Sequence, residues 1–254
     1  MLMVISPAKK LSWAEEPKHH EISQPMFLQD ANHIATKAKK LRVSALQKLM
    51  GISEKLATLN HARFQAFQPT PSPDALRPAI YTFAGDTYLG LDAASLSDAD
   101  TAFGQENLLI LSGLYGLLRP FDGIQPYRLE MGSSFTVKGG TKLVKFWQGK
   151  MTKTLDMMLE NHTDKTIVVL ASKEYASAID AGKLTGHFLQ VSFLEERDGK
   201  AKAIGFIAKR ARGCMARHII QNRIEDHRKL VDFTGMDYRF STERSSDDHY
   251  VFVR

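Results

Sequence analysis

The sequence has a single cysteine, Cys214, among its 254 residues. One thiol cannot form an intrachain disulfide, and it cannot supply a zinc ribbon or an iron–sulfur cluster, each of which needs about four ligands. No stretch approaches the roughly 18 to 20 consecutive apolar residues of a membrane-spanning helix. The N-terminus lacks the basic region of a signal peptide, and its apolar run is short. We therefore expect a cytoplasmic (cytosolic) protein without membrane contact.

Patterns that bind metals or cofactors are equally scarce. The sequence has nine histidines, but its one Glu-x-x-His spacing, Glu16 to His19, contains Pro17, which argues against a shared helix face. The adjacent His19 and His20 point apart on any regular element. No segment matches a Walker loop, a dinucleotide-binding glycine pattern or a Ser-His-Asp triad. We therefore expect no metal site and no cofactor, and the motifs identify no catalytic residue.

What the sequence does contain is an ordinary globular composition, with 43% hydrophobic and 24% charged residues, which excludes wholesale disorder. Short apolar runs predict strands at Leu2–Ile5, Ile80–Phe83, Leu108–Leu111, Ile167–Leu170, Phe188–Leu194, Ala203–Ile207 and Tyr250–Val253. Amphipathic periodicity predicts helices at Met26–Leu41, Val43–Met50, Glu54–Phe67 and Lys142–Asn161. Strands and helices alternate without a long polar linker. We therefore expect one domain over residues 1–254, of the α/β (mixed α+β) class.

The positive charge is concentrated in one segment. The formal net charge of the chain is +6, whereas residues 197–229 contain ten basic and three acidic residues and so carry +7. The rest of the chain is therefore about neutral. Such a segment inside a folded domain is typical of proteins that bind a polyanion. The alternative is a solvated basic helix without a specific partner.

Residues 43–67 resemble a helix-hairpin-helix, a small DNA-binding unit without sequence specificity. Gly51 permits a sharp turn with positive φ, and Ser53 suits the N-cap of the second helix, whose free amides can bind a phosphate. Lys55 and Arg63 would add positive charge beside that phosphate. Ser53 stands where the usual motif has a second glycine. The alternative is a plain helical hairpin that packs three side chains into the core: Ile52, Leu56 and Leu59.

Residues 209–223 predict a helix with arginines on both sides of an apolar stripe. Burial of the stripe would place these arginines along the wall of a groove, and guanidinium groups favour bidentate phosphate contacts. The candidate phosphate-binding residues of this helix are Lys209, Arg210, Arg212 and Arg217. In the alternative interpretation, part of the set pairs with internal carboxylates.

Polar side chains also follow several predicted strands. In open α/β sheets, ligands bind at the carboxyl ends of the strands, so these side chains are candidates for one polar pocket. The pocket candidates are Lys9, Asp86, Tyr115, Arg119, Tyr127, Arg128 and Glu130. The alternative is that these residues cap and brace loops.

Five segments together resemble the YaaA family of bacterial peroxide-stress proteins: 5–9, 83–91, 111–132, 170–175 and 209–224. The resemblance spans essentially the whole chain, and it is most specific in residues 111–132. It implies a single mixed α/β domain of unusual topology, with a helix-hairpin-helix and a basic cleft. It also implies DNA binding and a cytosolic role in limiting oxidative damage by keeping intracellular free iron low.

Two functional hypotheses follow from these patterns. The favoured one is a DNA-binding protein, taken as a monomer, that holds backbone phosphates of duplex or distorted duplex DNA with little sequence preference. The alternative is an enzyme that acts on a nucleotide or nucleobase in the strand-end pocket. There, the basic candidates would hold a phosphate or carboxylate, an acidic one would act as acid or base, and the tyrosines would stack on a base. Cys214 is expected to be a buried, inert thiol rather than a peroxide sensor.

Overall fold

The computed structural model describes residues 1–13 and 21–254, so the Glu16, His19 and His20 candidates lie outside the described residues. The strands are β1 (Leu2–Ile5), β2 (Lys10–Leu11), β3 (Arg77–Pro78), β4 (Phe83–Ala84), β5 (Leu108–Ser112), β6 (Gly116–Leu118), β7 (Gly123–Ile124), β8 (Thr166–Val169), β9 (His187–Arg197), β10 (Lys200–Lys202), β11 (Arg239–Phe240) and β12 (His249–Val253). The helices are α1 (Leu28–Lys39), α2 (Val43–Met50), α3 (Glu54–Ala66), α4 (Ala79–Thr82), α5 (Asp86–Leu91), α6 (Asp98–Asn107), α7 (Leu143–Leu159), α8 (Lys173–Ala176) and α9 (Gly205–Gln221).

A mixed sheet forms the centre of this α/β domain. Its strand order is β11-β12-β9-β8-β1-β5-β6, with β10 added to β9. The pairs β12·β9, β9·β8, β8·β1 and β1·β5 are parallel, whereas β11, β6 and β10 pair antiparallel with their neighbours. All residues of β1, β5 and β8 are buried. Strands buried on both faces carry continuous apolar runs, which explains why these three were predicted correctly.

Two predicted strands are wrong. Ile80–Phe83 lies mostly in the short helix α4, which follows Pro78. In its first turn, the Ile80 amide donates to Pro120 O at 3.0 Å. A buried apolar run of four residues does not distinguish a strand from one helical turn. Ala203–Ile207 instead spans the start of α9 at Gly205.

The strand expected near residue 203 lies three residues earlier and forms a hairpin. Asp198 and Gly199 both have positive φ, 51° and 71°, between the antiparallel strands β9 and β10. Asp-Gly is the preferred pair for such a two-residue turn. This signal in the sequence outweighs the apolar run that suggested Ala203–Ile207.

The four predicted helices are confirmed, with ends shifted by no more than two residues. Helix α2 has the predicted bounds, α3 ends at Ala66, and α1 and α7 are each trimmed at both ends. Helix α7 lays its buried side against the sheet, where Trp147 donates its indole N–H to Gly113 O at 3.0 Å. Among the described residues, no helix is both long and apolar enough to cross a membrane.

Candidate nucleic-acid interface

The segment between α2 and α3 has the geometry of a tight helical hairpin. Gly51 ends α2 in the left-handed conformation, with φ 60° and ψ 45°, a conformation that glycine adopts without strain. Ser53 is the N-cap of α3, and its hydroxyl accepts the Leu56 amide at 3.4 Å. Lys55 lies fully exposed in the first turn of α3. These local features match the sequence prediction.

The packing of α3 differs from the plain-hairpin interpretation. That interpretation places Leu56 and Leu59 in the core, but their exposed fractions are 39% and 45%. Helix α3 instead buries Ala57, Asn60 and Phe64, which are three and four residues apart and therefore share one face. The exposed face of α3 thus carries two leucines beside Lys55.

Arg63 lies near a second arginine. Its Nη1 donates to Asn60 Oδ1 at 3.3 Å. Partial burial and, secondly, the positive charge of Arg128 lower the pKa of Arg63. Two guanidinium groups that repel each other in this way leave an excess of positive charge for an anion to neutralise.

Arg128 is itself linked to Glu130, and Glu130 to Lys9. Arg128 Nε donates to Glu130 Oε1 at 2.9 Å, and Lys9 Nζ lies 3.7 Å from the same oxygen. The Lys9 side chain is 69% exposed, whereas that of Glu130 is 11% exposed. Glu130 therefore pairs with the largely buried Arg128 and with the exposed Lys9, and the three side chains together carry a net positive charge.

A cavity of about 400 Å³ lies at the carboxyl ends of β1 and β8. The chain leaves β1 toward β5 and leaves β8 toward β9, so the two connections diverge here. Ligands of open α/β sheets bind at such switch points. Ser6 and Ser172, the residues just past the two strand ends, meet at this point: the Ser172 amide donates to Ser6 Oγ at 2.8 Å. Both residues line the cavity.

Helix α9 forms another wall of this cavity. Its Lys209 and Arg212 line the cavity together with Lys9 and Asp86. The positions 209 and 212 are three apart and share one face of the helix. The buried stripe of α9 agrees with the sequence prediction and contains Ala208, Ala211, Met215 and Ile219.

The remaining arginines predicted on α9 have different surroundings. Arg210 is exposed and lies outside the lining of this cavity. Arg217 donates to Leu91 O at 3.1 Å and to Asp92 O at 2.9 Å, and so caps the C-terminus of α5. Cations stabilise helix C-termini. Arg217 is therefore committed to the fold, as the internal-pairing alternative anticipates.

Three pocket candidates also have structural roles instead of lining the cavity. Tyr115 is 1% exposed and accepts the Gln125 amide on its hydroxyl, and Tyr127 is 4% exposed and bonds to Ser112 at 2.6 Å. Arg119 Nη2 lies 2.9 Å from the buried carboxylate of Asp122. The polar groups of these residues are engaged in core packing and loop bracing, and their role in ligand binding stays a prediction.

The structure also adds members that sequence reasoning missed. Ser6, Ser172 and Glu174 line the cavity, together with the largely buried rings of Tyr88 and Tyr175. Small hydroxyl residues immediately after buried strands are a usable signal for Ser6 and Ser172. The tyrosines resemble core residues in sequence, and only the tertiary structure places them at the cavity.

A separate group of potential metal ligands lies at the other end of β8. Side-chain atoms of Asp164, Asp226 and His227 lie within 4.8 Å of one another. His227 Nδ1 is hydrogen-bonded to Asp164 at 2.7 Å, and Asp226 forms an ion pair with Arg228, also at 2.7 Å. Internal hydrogen bonds therefore account for this cluster without an ion.

The hairpin and the cavity are connected by positive side chains. Arg63 on α3 lies in the field of Arg128, Arg128 and Lys9 share Glu130, and Lys9 lines the same cavity as Lys209 and Arg212. We call these five basic residues the cationic track. These residues link the two sequence motifs, which are separated by about 150 residues along the chain.

Comparison with known proteins agrees with the sequence resemblance. Residues 1–244 match the family described as peroxide stress protein YaaA. The chain is 44% identical over 256 aligned positions to the UPF0246 protein RD1_0358 of Roseobacter denitrificans, covering 100% of this chain and 98% of that protein. It is 43% identical to SPO0106 of Ruegeria pomeroyi (100% and 98% covered) and 45% identical to PHZ_c0561 of Phenylobacterium zucineum (100% and 95% covered). The chain therefore belongs to the family of peroxide stress protein YaaA.

Proposed function

We propose that this protein binds DNA through backbone phosphates, with little sequence preference, as part of a cytosolic response to peroxide that limits iron-dependent damage. The observation that carries the proposal is the cationic track, which continues from the hairpin helix α3 to the basic helix α9. A series of basic side chains of this kind suits the spaced negative charges of a nucleic-acid backbone.

The hairpin would hold one stretch of backbone. The first amides of α3 have no carbonyl partner within the helix, and Ser53 caps only the Leu56 amide. Phosphates bind at such helix starts because the free amides and the helix dipole both attract negative charge. Exposed Lys55 in the same turn adds a mobile cation. The hairpin thus functions as a helix-hairpin-helix in this proposal, with Gly51 providing the turn.

The contacting groups explain the expected lack of sequence preference. Backbone amides, lysines and arginines along an open surface bind phosphates, which are the same for every base. Affinity should therefore depend steeply on salt concentration, because each neutralised phosphate releases counterions. Bound protein would shield DNA where radicals generated by iron and peroxide would otherwise strike.

The nucleotide-enzyme alternative has less support. Tyr115 and Tyr127, which it needs for base stacking, are buried, and Arg119 is held by Asp122. Glu130, one of its two candidate acids or bases, is paired with Arg128 and Lys9.

The test is fluorescence anisotropy with labelled duplex, bubbled and single-stranded DNA at several salt concentrations. We expect the double variant Lys55→Gln and Arg63→Gln to bind all sequences more weakly and to reduce the log–log salt slope by about one for each phosphate that is no longer neutralised. Lys153→Gln is the matched control, because Lys153 is an exposed lysine on α7 outside the cationic track. Wild-type-like affinity and slope in the double variant would refute the role of the hairpin. Absence of binding at low salt would refute DNA binding altogether.

A further inference from the structure

Among the residues that the structure describes, Arg212 is a half-buried cation without a partner. Its Nε is buried and has no hydrogen-bond partner, and among the described residues no carboxylate forms an ion pair with it. Burial alone lowers the pKa of Arg212, with no contribution from a neighbouring acid. Removing a charge from water without pairing it is costly. Proteins tolerate that cost where a ligand supplies the missing partner.

The neighbours of Arg212 in the fold indicate where this partner binds. Arg212 lines the switch-point cavity of about 400 Å³ and also a second cavity of about 410 Å³ that runs along β9 past Gln190 and Ser192. Lys209, one helical turn earlier, lines the first of these cavities. A guanidinium and an ammonium group on one helix face can bind the oxygens of the same anion.

The charge balance of the switch-point cavity defines the anion further. Its walls carry four cations, Lys9, Lys10, Lys209 and Arg212, and two carboxylates, Asp86 and Glu174. One oxygen of the Glu174 carboxylate already accepts a hydrogen bond from the Gly132 amide, at 2.9 Å. Adjacent Glu130 and Arg128 cancel each other's charge. The excess of two positive charges matches a phosphate monoester, which carries about −1.5 to −2 at neutral pH.

The size and polarity of the cavity indicate what carries the phosphate. A volume of about 400 Å³ lies in the lower part of the range for small-molecule sites, and it is much too small for a DNA backbone segment. The carboxylate of Asp86 and the hydroxyls of Thr87 and Ser172 also line the cavity and are suited to hydrogen-bond sugar hydroxyls or base edges. The cavity therefore fits one nucleotide.

From these observations we infer that the switch-point cavity is a phosphate-monoester site, in which Arg212 and Lys209 hold the phosphate of a single nucleotide. The site shares Lys209 and Arg212 with one end of the cationic track, but it takes a terminal phosphate rather than a phosphodiester. The nucleotide is either free or the 5′-phosphorylated end of a DNA strand, since both present the same group.

The test is isothermal titration calorimetry of the full-length protein with thymidine 5′-monophosphate, thymidine and inorganic phosphate. We expect the monophosphate and inorganic phosphate to bind and thymidine to bind far more weakly. Arg212→Gln should weaken monophosphate binding about 10- to 100-fold, the range for losing a charge-assisted hydrogen bond, and Arg212→Lys should weaken it less. Lys153→Gln again serves as control. The inference is overturned if the protein binds neither phosphate compound at about 10 mM. It is also overturned if Arg212→Gln binds the monophosphate with wild-type affinity.

Thermal unfolding separates ligand binding from a structural role. An unpaired half-buried cation contributes nothing favourable to the free protein, so Arg212→Gln should leave the melting temperature unchanged or raise it. Thymidine 5′-monophosphate should raise the melting temperature of the wild type but not of Arg212→Gln. If Arg212→Gln melts several degrees lower without ligand, Arg212 supports the fold and the inference fails.

Competition distinguishes the two sources of the phosphate. A 5′-phosphorylated single-stranded oligonucleotide and its 5′-hydroxyl counterpart are compared for their ability to displace labelled monophosphate. Stronger displacement by the phosphorylated strand identifies a DNA end as the ligand. If neither strand displaces the labelled monophosphate, the ligand is a free nucleotide. Either result supports the site. Equal displacement by both strands refutes it, because backbone phosphates then suffice. None of these outcomes depends on the anisotropy experiment with long DNA.

Discussion

Gly213 of α9 lies directly against the backbone carbonyl of Thr87 in α5. A Cβ atom at Gly213 would collide with Thr87 O and with the Leu91 amide, and one at Gly90 would collide with Arg210 O. Two glycines that face each other in this way allow the two helix backbones to touch. This close approach brings Asp86, at the start of α5, to the same cavity as Lys209 and Arg212.

Gly213→Ala should therefore destabilise the protein and open the cavity. The neighbouring atoms are backbone and cannot rotate away, so we expect a loss of about 1 to 3 kcal/mol in the free energy of unfolding, or more. Gly149→Ala is the matched control. Gly149 lies exposed within α7 with nothing within 4 Å of its Cβ position, so alanine there should stabilise by about 0.5 to 1 kcal/mol. Urea unfolding measures both changes, and equal effects of the two variants would contradict the close packing.

Asp122→Asn should be strongly destabilising. The Asp122 side chain is fully buried and accepts the Arg119 amide, Arg119 Nε and Ser23 Oγ at 2.8, 3.1 and 2.7 Å. Asparagine removes the charge and one acceptor oxygen from a buried site that several donors share, whereas the Arg119 side chain is 33% exposed and also donates to Gln24 O. We expect a loss of about 1 to 3 kcal/mol, the cost of leaving buried donors unsatisfied.

The control for Asp122→Asn is Asp92→Asn. Asp92 is 56% exposed and lies 3.6 Å from Arg217, and exposed pairs contribute about 0 to 1 kcal/mol. Chemical denaturation of the two variants gives the comparison. A stable Asp122→Asn protein would indicate that Arg119 is available for ligands after all.

The pair of Asp100 and Arg223 should make stability depend on acidic pH. Hydrogen bonds from Arg223 and then Ser97 lower the pKa of Asp100 from 3.8 to about 2. A carboxylate with a lowered folded-state pKa stabilises the fold above its unfolded pKa and loses that contribution as pH falls through the folded value. Asp100→Asn should therefore be less stable than wild type at pH 6, and the difference should disappear between about pH 4 and pH 2. Arg223→Gln, which removes the other member of the pair, should show the same convergence. Thermal melts across this pH range test both.

Cys214 should react slowly with peroxide. The thiol is half-buried, and this burial raises its pKa despite the opposing influence of Arg210 and Arg217. Because the thiolate is the reactive form, a raised pKa lowers reactivity. We expect peroxide to block thiol labelling of the folded protein more slowly than that of free cysteine. Rapid sulfenic acid formation at Cys214 would show that the protein senses peroxide directly.

Much of the fold was predictable because local patterns determined it. The buried strands β1, β5 and β8 are uninterrupted apolar runs, and α2 ends at a glycine that adopts positive φ. The secondary-structure predictions failed where one sequence pattern is compatible with two local structures. A four-residue apolar run at Ile80–Phe83 suits a strand or a helical turn equally, and the Asp198-Gly199 turn was overlooked beside a more apolar segment.

Of the candidate site, the sequence by itself determined which charges are present and on which helices they lie. The basic helix, the glycine turn at Gly51 and the hydroxyls after β1 and β8 are all visible there, because capping and periodicity act over a few residues. Only the tertiary structure decided how each side chain is used. Arg217 caps α5 and Arg119 is held by buried Asp122, whereas Arg212, on the same helix as Arg217, has no partner within residues 1–13 and 21–254. Partners in space are distant in sequence, so no spacing rule distinguishes a committed arginine from a free one.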